Sequence, residues 1–503
     1  MLTGSYASEA RSIIRLKLSP ELIKIKEYLR QEKIPAYLVG GYIRDTLIQR
    51  NTIDIDIAVS ADAFLIAQKL SGLLQGKYIP LDIENNIARI ALCEKDKTHY
   101  LDISALRGNI ENDLSLRDFT IDAMAVNIEK LAPEITTNDI IDPLKGQNDL
   151  KNKVVRTAGN NAFAEDPIRM LRAVRLAAEL GFIIDKDTEH LIITRSPLII
   201  KTAMERVNEE LCRLFSLPHT SYWLHKLDYL QLLDILMPEL STTKGIEQPV
   251  EHYWDVYGHL IETVAAVENL FHQDNMKKQL NNPVDFVPLS EELRQYFEQH
   301  VGPALNRKNL LKFAALLHDI AKPQTKILTE NGRTRFFGHD KDSAQIASQI
   351  LTRLRFSNRQ IYIITRIIEL HMRVGQMTNP GEMPTRRAIY RYFRDAGDVA
   401  IDTLFFSLAD HLAARGPNLN LSHWIEHANM VEYTLSVCHE KKEVVQPPKL
   451  LDGHDLINIF GLPPGPEIKK ILDNIHELQA AGEITTRDDA LAAARKFVKL
   501  NGE

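Results

Sequence analysis

The sequence predicts an α+β multidomain protein in which an N-terminal α/β head is followed by an all-α body. At 503 residues the chain is too long for a single hydrophobic core and suits roughly three or four domains. The first part alternates short strand-like runs with amphipathic helical segments, whereas the rest is patterned almost entirely at helical spacing. The predicted domains are residues 1–160, 161–245, 246–440 and 441–503.

The composition narrows the class of protein. Apolar residues make up 44% of the chain and charged residues 25%, as in ordinary globular proteins. Cys93, Cys212 and Cys438 show no paired spacing, which argues against a disulfide framework or a zinc knuckle and favours a reducing, cytoplasmic setting. No window approaches the roughly 20 apolar residues of a membrane span, so no membrane association is expected. The net charge of −6 still leaves room for a local basic strip. The sequence leaves the oligomeric state open.

The predicted head is organised around residues 38–59, which follow a helical segment at 20–32. A strand-like run ends there at Gly40-Gly41, and a short amphipathic segment carrying Arg44 comes next. Paired glycines let backbone N–H groups approach a phosphate closely, and a helix that starts there directs its positive end toward the same anion. The pattern predicts a phosphate-binding turn, although a glycine pair alone marks only a turn.

Two acids follow on the next strand-like run of this stretch. Residues two apart in a strand point to the same face, so Asp54 and Asp56 are expected to project side by side. Mg²⁺ favours carboxylate oxygens and takes its remaining ligands from water and from the phosphates of a substrate. Each fragment alone is common at turns and strand ends, but their order in one strand–helix–strand unit predicts a metal–triphosphate site.

The following segments are expected to complete the sheet. Residues 61–74 predict an amphipathic helix, 76–94 two strands joined by a polar turn, and 99–108 a further strand. Asp102 lies in that last strand and is a candidate third carboxylate, because a neighbouring strand can bring one more acid to the metals. An Asp satisfied at the sheet edge is the alternative. Arg107 either reaches a phosphate or caps the sheet.

A charged helix is predicted within residues 162–182. Pro167 suits the first turn of a helix. Arginines recur there at every third position, along one drifting face of the helix: Arg169, Arg172 and Arg175. A stripe of this kind is usually a solvated helix face.

Histidine and acidic residues recur in the helical segments of residues 246–440. The set comprises His259, His318, Asp319, His339, His371 and Asp410. A single histidine on a helix is more often a core residue than a ligand, but four histidines together with acids, including a His-Asp dipeptide, are hard to explain as core. Imidazole and carboxylate groups together can hold a transition ion or Mg²⁺ with water positions open.

Two further segments of the body have weaker signals. Residues 385–397 interleave arginines with aromatic residues, which suits an RNA backbone but is explained nearly as well by an ordinary amphipathic helix. After Pro447-Pro448, residues 450–498 predict three short helices separated by Gly and Pro turns.

These motifs resemble the class II tRNA nucleotidyltransferase and bacterial poly(A) polymerase family, within the polymerase-beta-like nucleotidyltransferase superfamily. LVGGYIRD followed by DIDI is similar to the signature of the family, EDPIR is similar to its EDxxR element, and residues 116–128 are similar to its RRDFTINA element. In this last stretch Arg117-Asp118 precedes an apolar, helix-like run. Leu116 and Asp122 stand where the family has Arg and Asn.

The resemblance implies that an RNA 3′-hydroxyl attacks the α-phosphate of CTP or ATP, with tRNA as acceptor and the 3′ CCA end as product. Asp54, Asp56 and Asp102 are the catalytic candidates, and Asp54 and Asp56 would hold Mg²⁺. The candidates for nucleotide binding are Gly40, Gly41, Arg44, Arg107, Arg117, Asp118, Asp166, Arg169, Arg172 and Arg175.

Asp166 and Arg169 are the residues that the resemblance assigns to choosing the base. A carboxylate accepts from the amino groups of cytosine and adenine, and a guanidinium serves their ring acceptors. Guanine and uracil present carbonyl groups instead and would leave the Asp unpaired, which is heavily penalised in a closed pocket. The pair would therefore select C and A without a nucleic acid template.

The histidine set resembles the HD superfamily of metal-dependent phosphohydrolases. By this resemblance His259, His318, Asp319 and Asp410 form the inner metal set, and His339 and His371 add a possible second metal. The domain would either hydrolyse a 2′,3′-cyclic phosphate or phosphomonoester or only brace the tail for RNA binding. Addition of CC alone, A alone or a poly(A) tail remains an alternative to full CCA addition, and a tRNA-binding factor with an inactive head is another.

Overall fold

The computed structural model describes residues 13–16, 18–52, 54–94, 97–272, 282–379, 381–440, 442–445 and 447–501. The chain divides into two compact units. The first comprises Met1–Thr202 with Leu230–Leu232, and the second comprises Ala203–Tyr229 with Leu233–Glu503. The finer boundaries at residues 160, 245 and 440 stay predictions.

The first unit is built on a mixed β-sheet with the strand order β4-β5-β6-β3-β2-β7-β9. The strands of this unit are β1 (Ile13–Arg15), β2 (Ala36–Val39), β3 (Ile55–Val59), β4 (Lys77–Asp82), β5 (Ile87–Glu94), β6 (Lys97–Ala105), β7 (Ala125–Asn127), β8 (Glu134–Thr136), β9 (Ile140–Ile141), β10 (Val154–Val155) and β11 (Ile183–Ile184). Within the sheet, β3 and β6 run parallel, and the other neighbouring strands are antiparallel. The carboxylate-bearing strand β3 therefore lies at the centre of the sheet.

The described residues of the first unit also form eight α-helices. They are α1 (Pro20–Gln31), α2 (Gly41–Leu47), α3 (Ala63–Leu74), α4 (Ile110–Ser115), α5 (Gly146–Lys151), α6 (Ala162–Glu165), α7 (Arg169–Leu180) and α8 (Lys186–Arg195). Local capping explains where α1 and α3 begin: Ser19 accepts a hydrogen bond from the Leu22 amide, and Asp62 accepts from the Phe64 amide. The predicted helices near 20–32 and 61–74, and the strands of 76–94 and 99–108, are confirmed.

The apolar run within 116–128 is not a helix. It forms a short 3₁₀ turn, Thr120–Asp122, followed by strand β7. Strand β7 pairs with β2, and the residues from Ala123 to Val126 are fully buried. The helix-like interpretation was wrong because a strand that is buried on both faces shows no alternation of polar and apolar residues.

The second unit is a helical body. Its helices, with α11 at the junction of the two units, are α9 (Met204–Ser216), α10 (Thr220–Tyr229), α11 (Leu232–Leu236), α12 (Pro238–Ser241), α13 (Val256–Phe271), α14 (Glu291–Phe297), α15 (Arg307–Leu317), α16 (Lys322–Thr325), α17 (His339–Arg353), α18 (Asn358–Leu370), α19 (Arg386–Ala396), α20 (Ala400–Arg415), α21 (Leu421–Glu440), α22 (Lys442–Val445), α23 (Gly453–Phe460), α24 (Pro466–Ala481) and α25 (Arg487–Asn501). Strands β12 (Lys326–Leu328) and β13 (Thr334–Phe336) form an antiparallel ribbon. The predicted α/β head and all-α body are confirmed. Among the described residues, the helices lack the length and apolar content needed to cross a membrane.

The basic, aromatic segment forms α19, and its arginines hold the tail. Arg387 pairs with Glu483 at 2.7 Å, and Arg391 and Arg394 pair with Glu477 at 2.5 and 3.0 Å. These partners lie on and just after α24, so the amphipathic-helix interpretation explains this segment. The three predicted helices of the tail are present as α23 to α25.

Candidate active site and metal centre

Three acids lie on one face of the central sheet. Asp56 in β3 is in register with Asp102 in β6, and Asp54 directly precedes β3. Residues in register on neighbouring strands share a face, as do residues two apart on one strand. The Tyr100 amide donates to Asp54 Oδ1 at 3.3 Å. Burial raises the pKa of Asp56 to about 6, and the Asp102 charge adds to that effect. Carboxylates brought to one face of a sheet supply the oxygen ligands that divalent cations favour.

The backbone of Gly40 lies close to the carboxylate of Asp56. Its φ of +73° is unfavourable for any residue with a side chain, and an ideal Cβ there would lie 3.0 Å from Asp56 Oδ2 and 3.1 Å from Arg117 Nη1. Helix α2 begins at the next residue, Gly41. The predicted turn and the predicted acids are therefore brought into contact.

The guanidinium of Arg44 is bound inside the head. Its Nε donates to Asp45 Oδ1 at 2.8 Å and its Nη1 to Asp122 Oδ1 at 2.6 Å, and all three residues are buried. Burial raises the pKa of Asp122, and Arg44 opposes that effect. The family that the sequence resembles has Asn at this position. Asp122 instead forms an ion pair with Arg44, the arginine that is predicted to bind the triphosphate. Contact of Arg44 with the triphosphate stays a prediction.

A buried acid that sequence reasoning missed joins two predicted arginines. Asp113 on α4 accepts from Arg107 Nε at 3.3 Å and forms an ion pair with Arg117 Nη2 at 3.5 Å. Its spacing of four residues from Arg117 is the one signal in the sequence that could have indicated this contact. Arg107 remains half-exposed, and Arg117 extends toward Gly40, which keeps Arg117 near the carboxylate face.

The three arginines of α7 have different surroundings. Arg172 Nε lies 3.0 Å from Asp118 Oδ2, and Arg175 pairs with Glu179 at 2.6 Å. Burial alone would raise the pKa of Asp118, but the surrounding guanidinium groups, chiefly that of Arg172, hold it below its usual value. Arg175 is buried. The structure therefore brings Arg172 and Asp118 together and directs Arg175 to another partner.

Arg169 lines a cavity of about 220 Å³ together with Arg117. The other residues around this cavity are Ser115, Leu116, Gly159, Asn160, Asn161, Ala162 and Glu165. Arg169 donates to the carbonyls of Leu116 and Ala162 at 3.3 and 3.4 Å. Asp166 follows α6 in an extended conformation and is half-buried outside this lining. The cavity offers fixed backbone groups and two guanidinium groups, which suits a polar planar ligand.

The inner histidine set converges in the core of the body. His259 Nε2 lies 3.1 Å from His318 Nε2 and 3.0 Å from Asp410 Oδ1. His318 Nε2 lies 3.2 Å from Asp319 Oδ2. Helices α13 and α20 and the end of α15 supply these groups. Both histidines and Asp319 are buried.

A second group shares Asp319 with the first. His339 Nε2 lies 3.3 Å from Asp319 Oδ1 and 3.3 Å from His371 Nε2, so one carboxylate lies between two histidine pairs. Three of the rings use Nδ1 to contact a backbone carbonyl, at 3.0 Å for His318, 2.8 Å for His339 and 2.6 Å for His371. A ring held in this way directs Nε2 toward the centre, where the neutral form of the ring can offer its lone pair to a metal. The donor set therefore fits divalent metal ions.

Charged neighbours set the protonation of this centre. Burial alone would lower the pKa of His318, but the carboxylates of Asp319 and Asp410 raise it to about 10. Burial lowers the pKa of His371 to about 4. Sequence reasoning missed buried Lys322, whose Nζ lies 2.5 Å from Asp319 Oδ2, although its position one turn after the His-Asp pair was a usable signal. Lys322 and His318 therefore contact the same oxygen of the shared carboxylate, Asp319 Oδ2.

Family models match most of the chain. The poly A polymerase head domain matches residues 36–156, and a probable RNA and SrmB binding site of polymerase A matches residues 181–243. An HD domain matches residues 289–415, and a tRNA nucleotidyltransferase domain 2 matches residues 418–494. The predicted family and the predicted HD domain are confirmed.

Known proteins are similar over nearly the full length. The chain is 30% identical over 470 residues to the A-adding tRNA nucleotidyltransferase of Deinococcus radiodurans, with 92% of this chain and 96% of the relative covered. It is 28% identical over 469 residues to the CC-adding tRNA nucleotidyltransferase of Thermus thermophilus, with 91% and 92% covered.

Solved structures share the fold. A CCA-adding enzyme in complex with CTP superposes with a TM-score of 0.62 at 20% identity and covers 97% of this chain and 96% of its own. The Thermotoga maritima CCA-adding enzyme complexed with tRNA gives a TM-score of 0.58 at 20% identity and covers 95% and 96%. From its full-length relatives and its four matched domains, the chain belongs to the class II tRNA nucleotidyltransferase family of metal-dependent nucleotidyltransferases.

Proposed function

We propose that this protein adds C and A from CTP and ATP to the 3′ end of cytoplasmic tRNA and so builds or repairs CCA without a nucleic acid template. The observation that carries the proposal is the row of carboxylates on one face of the sheet, in which Asp56 lies against the Gly40 turn. The relatives named as A-adding and CC-adding tRNA nucleotidyltransferases, and the solved complexes with CTP and tRNA, support the substrates.

In the proposed reaction the 3′-hydroxyl of the tRNA attacks the α-phosphorus of the nucleotide. The new P–O bond forms as the bond to pyrophosphate breaks, and the hydroxyl proton leaves to solvent or a carboxylate. Asp54 and Asp56 would hold Mg²⁺, and Asp102 lies beside them. Divalent ions held there would lower the pKa of the hydroxyl and neutralise the departing pyrophosphate.

The remaining predicted residues would hold the nucleotide. We assign the triphosphate to the backbone of Gly40 and Gly41 and to Arg44, with Arg107 and Arg117 beside it. Arg169, whose guanidinium lines the 220 Å³ cavity, would serve the ring acceptors of C or A, with Asp166 as acceptor for the amino group. Asp118 would hold Arg172 in place through the contact at 3.0 Å.

The test is incorporation of labelled CTP and ATP, separately and together, onto transcripts of one tRNA that end at the discriminator base, at C and at CC. Addition of both nucleotides that stops at CCA is the expected result. Addition of A alone to the CC-ending transcript, or of CC alone, would make this a partial-addition enzyme. Long A tails would make it a poly(A) polymerase, and no incorporation would overturn the proposal.

A second candidate function is hydrolysis of a 2′,3′-cyclic phosphate or phosphomonoester at the histidine centre. The observation that favours it is the pair of buried donor groups that share Asp319. Metal-dependent release of phosphate from a nucleoside 3′-phosphate, or opening of a 2′,3′-cyclic phosphate, would support this activity. Absence of both with Mg²⁺, Mn²⁺, Ni²⁺ and Co²⁺ would leave the centre a structural brace.

A further inference from the structure

The third carboxylate of the head is paired with an arginine from the neighbouring strand. Arg89 in β5 is in register with Asp102 in β6, which is itself in register with Asp56 in β3. Arg89 Nε donates to Asp102 Oδ1 at 2.8 Å, and Nη2 donates to Oδ2 at 2.8 Å. Arg89, Asp102 and Asp56 therefore form a row on one face of the sheet.

The guanidinium of Arg89 also contacts the aromatic ring of Tyr100. Its Cζ lies 4.6 Å from the centre of the Tyr100 ring, close enough for a cation–π contact. The side chains of Arg89 and Asp102 are only 33% and 25% exposed. The pair is thus largely shielded from the solvent that weakens surface ion pairs.

This bidentate ion pair limits the ability of the Asp102 carboxylate to bind a divalent cation. Both oxygens accept a hydrogen bond from one rigid fork, and the guanidinium cancels the charge of the carboxylate. A divalent ion that used Asp102 as a full ligand would have to displace Arg89 or share the oxygens with it. Asp54 and Asp56 have no such two-pronged partner among the hydrogen bonds of the described residues.

We propose that Arg89 is a positioning residue of the nucleotidyl-transfer site, which keeps Asp102 from ligating the divalent ions and leaves them to Asp54 and Asp56. The inference rests on the proposed function, because it concerns the same ion site. Two carboxylates alone bind a divalent ion weakly, and the triphosphate oxygens then supply the missing ligands. Arg89 thereby makes tight ion binding depend on the nucleotide.

The test is a double-mutant cycle read by Mn²⁺ binding, with free Mn²⁺ measured by electron paramagnetic resonance on the full-length chain. The variants are Arg89→Met, Asp102→Asn and the two combined. Binding of Mn²⁺ at the histidine centre is measured separately with the Asp54→Asn/Asp56→Asn double variant. Its binding isotherm is subtracted from that of each other variant. We expect Arg89→Met to tighten Mn²⁺ binding about tenfold more when Asp102 is present than in combination with Asp102→Asn.

The cycle separates ligation from simple charge. An equal gain in Mn²⁺ affinity from Arg89→Met with Asp102 and with Asp102→Asn would mean that removal of a positive charge explains the whole effect. That result would overturn the inference. A loss of affinity in Asp102→Asn as large as that in Asp54→Asn would overturn it too, because Asp102 would then already be a ligand. Arg89→Lys keeps the charge without the fork, and it replaces Arg89→Met in the cycle if that variant does not fold.

The result is independent of the proposed reaction. If the unmodified chain incorporates no nucleotide but the Mn²⁺ cycle shows the expected coupling, the function fails and the role of Arg89 stands. If incorporation is normal and the coupling is absent, the reverse holds.

Discussion

At the scale of the residue, Gly40 shows how little room surrounds the carboxylates. The backbone there has φ of +73°, and the space of a methyl group is occupied by Asp56 Oδ2 and Arg117 Nη1. A side chain there would strain the backbone and displace the Asp56 carboxylate and the Arg117 guanidinium by a few tenths of an ångström. Because two-metal chemistry needs its ligands placed within fractions of an ångström, small shifts at this position translate into large losses of rate.

We therefore expect Gly40→Ala to reduce nucleotide incorporation about tenfold. A misplacement of about 1 Å costs about 100-fold in rate, and the shift here is a few tenths of an ångström, with the strain of a positive φ added. The measurement is single-turnover incorporation on the CC-ending tRNA transcript. Gly72→Ala is the matched control, because its Cβ would meet no atom within 4 Å and its φ lies outside the left-handed region. A Gly40→Ala enzyme as active as the control would mean that Asp56 does not need its present position.

The cysteines differ in their expected reactivity. Burial raises the pKa of Cys212 to about 12, and the nearby charge of Glu209 adds to the shift. Since the thiolate is the reactive form, only about one thiol in 10⁴ would be ionised at about pH 8. Cys93 is exposed.

We expect a disulfide reagent at about pH 8 to modify Cys93 in the native chain and to leave Cys212 unmodified until the chain is unfolded. Peptide mapping by mass spectrometry identifies the modified residue. Concentrated guanidinium is the control, in which all the cysteines should react. Rapid native labelling of Cys212 would show that α9 opens far more readily than its burial indicates.

At the scale of the element, Lys312 of α15 joins four acceptors in the body. Its ammonium group lies within 3.0 Å of each of them, which are the carbonyls of Phe215 and Leu217, Thr220 Oγ1 and Glu268 Oε1. Two of these are carbonyl groups at the end of α9, which have no partner within the helix. One buried lysine thus fixes the connection between α9 and α10 against the helices of the histidine centre.

Lys312→Met should destabilise the second unit by about 3–5 kcal/mol, because it leaves Glu268 buried without its counter-ion. Tryptophan fluorescence during urea unfolding is a specific probe, since Trp223, Trp254 and Trp424 all lie in this unit. Lys308→Met on the same helix breaks a more exposed pair with Glu298 and should change stability by about 0–1 kcal/mol. Equal losses in the two variants would show that burial of the Lys312 pair adds nothing.

The extent to which sequence predicts these elements depends on how local each signal is. The glycine turn, the paired acids of β3 and the helices α1, α3 and α7 follow from neighbouring residues, so periodicity and capping sufficed. The partner of Asp102 did not follow, because Arg89 meets it only through the register of β5 on β6. Asp113 and Lys322 were missed for a different reason, because each lies only four or three residues from its ion-pair partner and that local spacing was not used.

Arginine-rich segments show a second limit on what can be predicted from the sequence. An arginine on a helix face looks the same in sequence whether it meets RNA or a carboxylate of the same chain. In α19 the partners are Glu477 and Glu483, about 90 residues along the chain. In α7 one arginine lines a cavity and another pairs with Glu179. Only the packing of the elements distinguishes these cases.

At the scale of the whole molecule, two separate chemistries are expected in one chain. The carboxylate face belongs to the first unit and the histidine centre to the second, and each has its own hydrophobic core. Their donor chemistry also differs, with oxygen ligands in the head and mixed nitrogen and oxygen ligands in the body, which favour different metals. Loss of one site should therefore leave the other intact.

The decisive comparison uses two paired substitutions. Asp54→Ala/Asp56→Ala should abolish nucleotide incorporation and leave metal-dependent phosphate release unchanged, whereas His318→Ala/Asp319→Ala should do the reverse. Unfolding followed by tryptophan fluorescence supplies a control that is independent of activity, because Ni²⁺ should stabilise the second unit of the first variant and not that of the second. Loss of incorporation in His318→Ala/Asp319→Ala with an intact fold would mean that the histidine centre serves the transfer reaction itself, and the two chemistries would then be one.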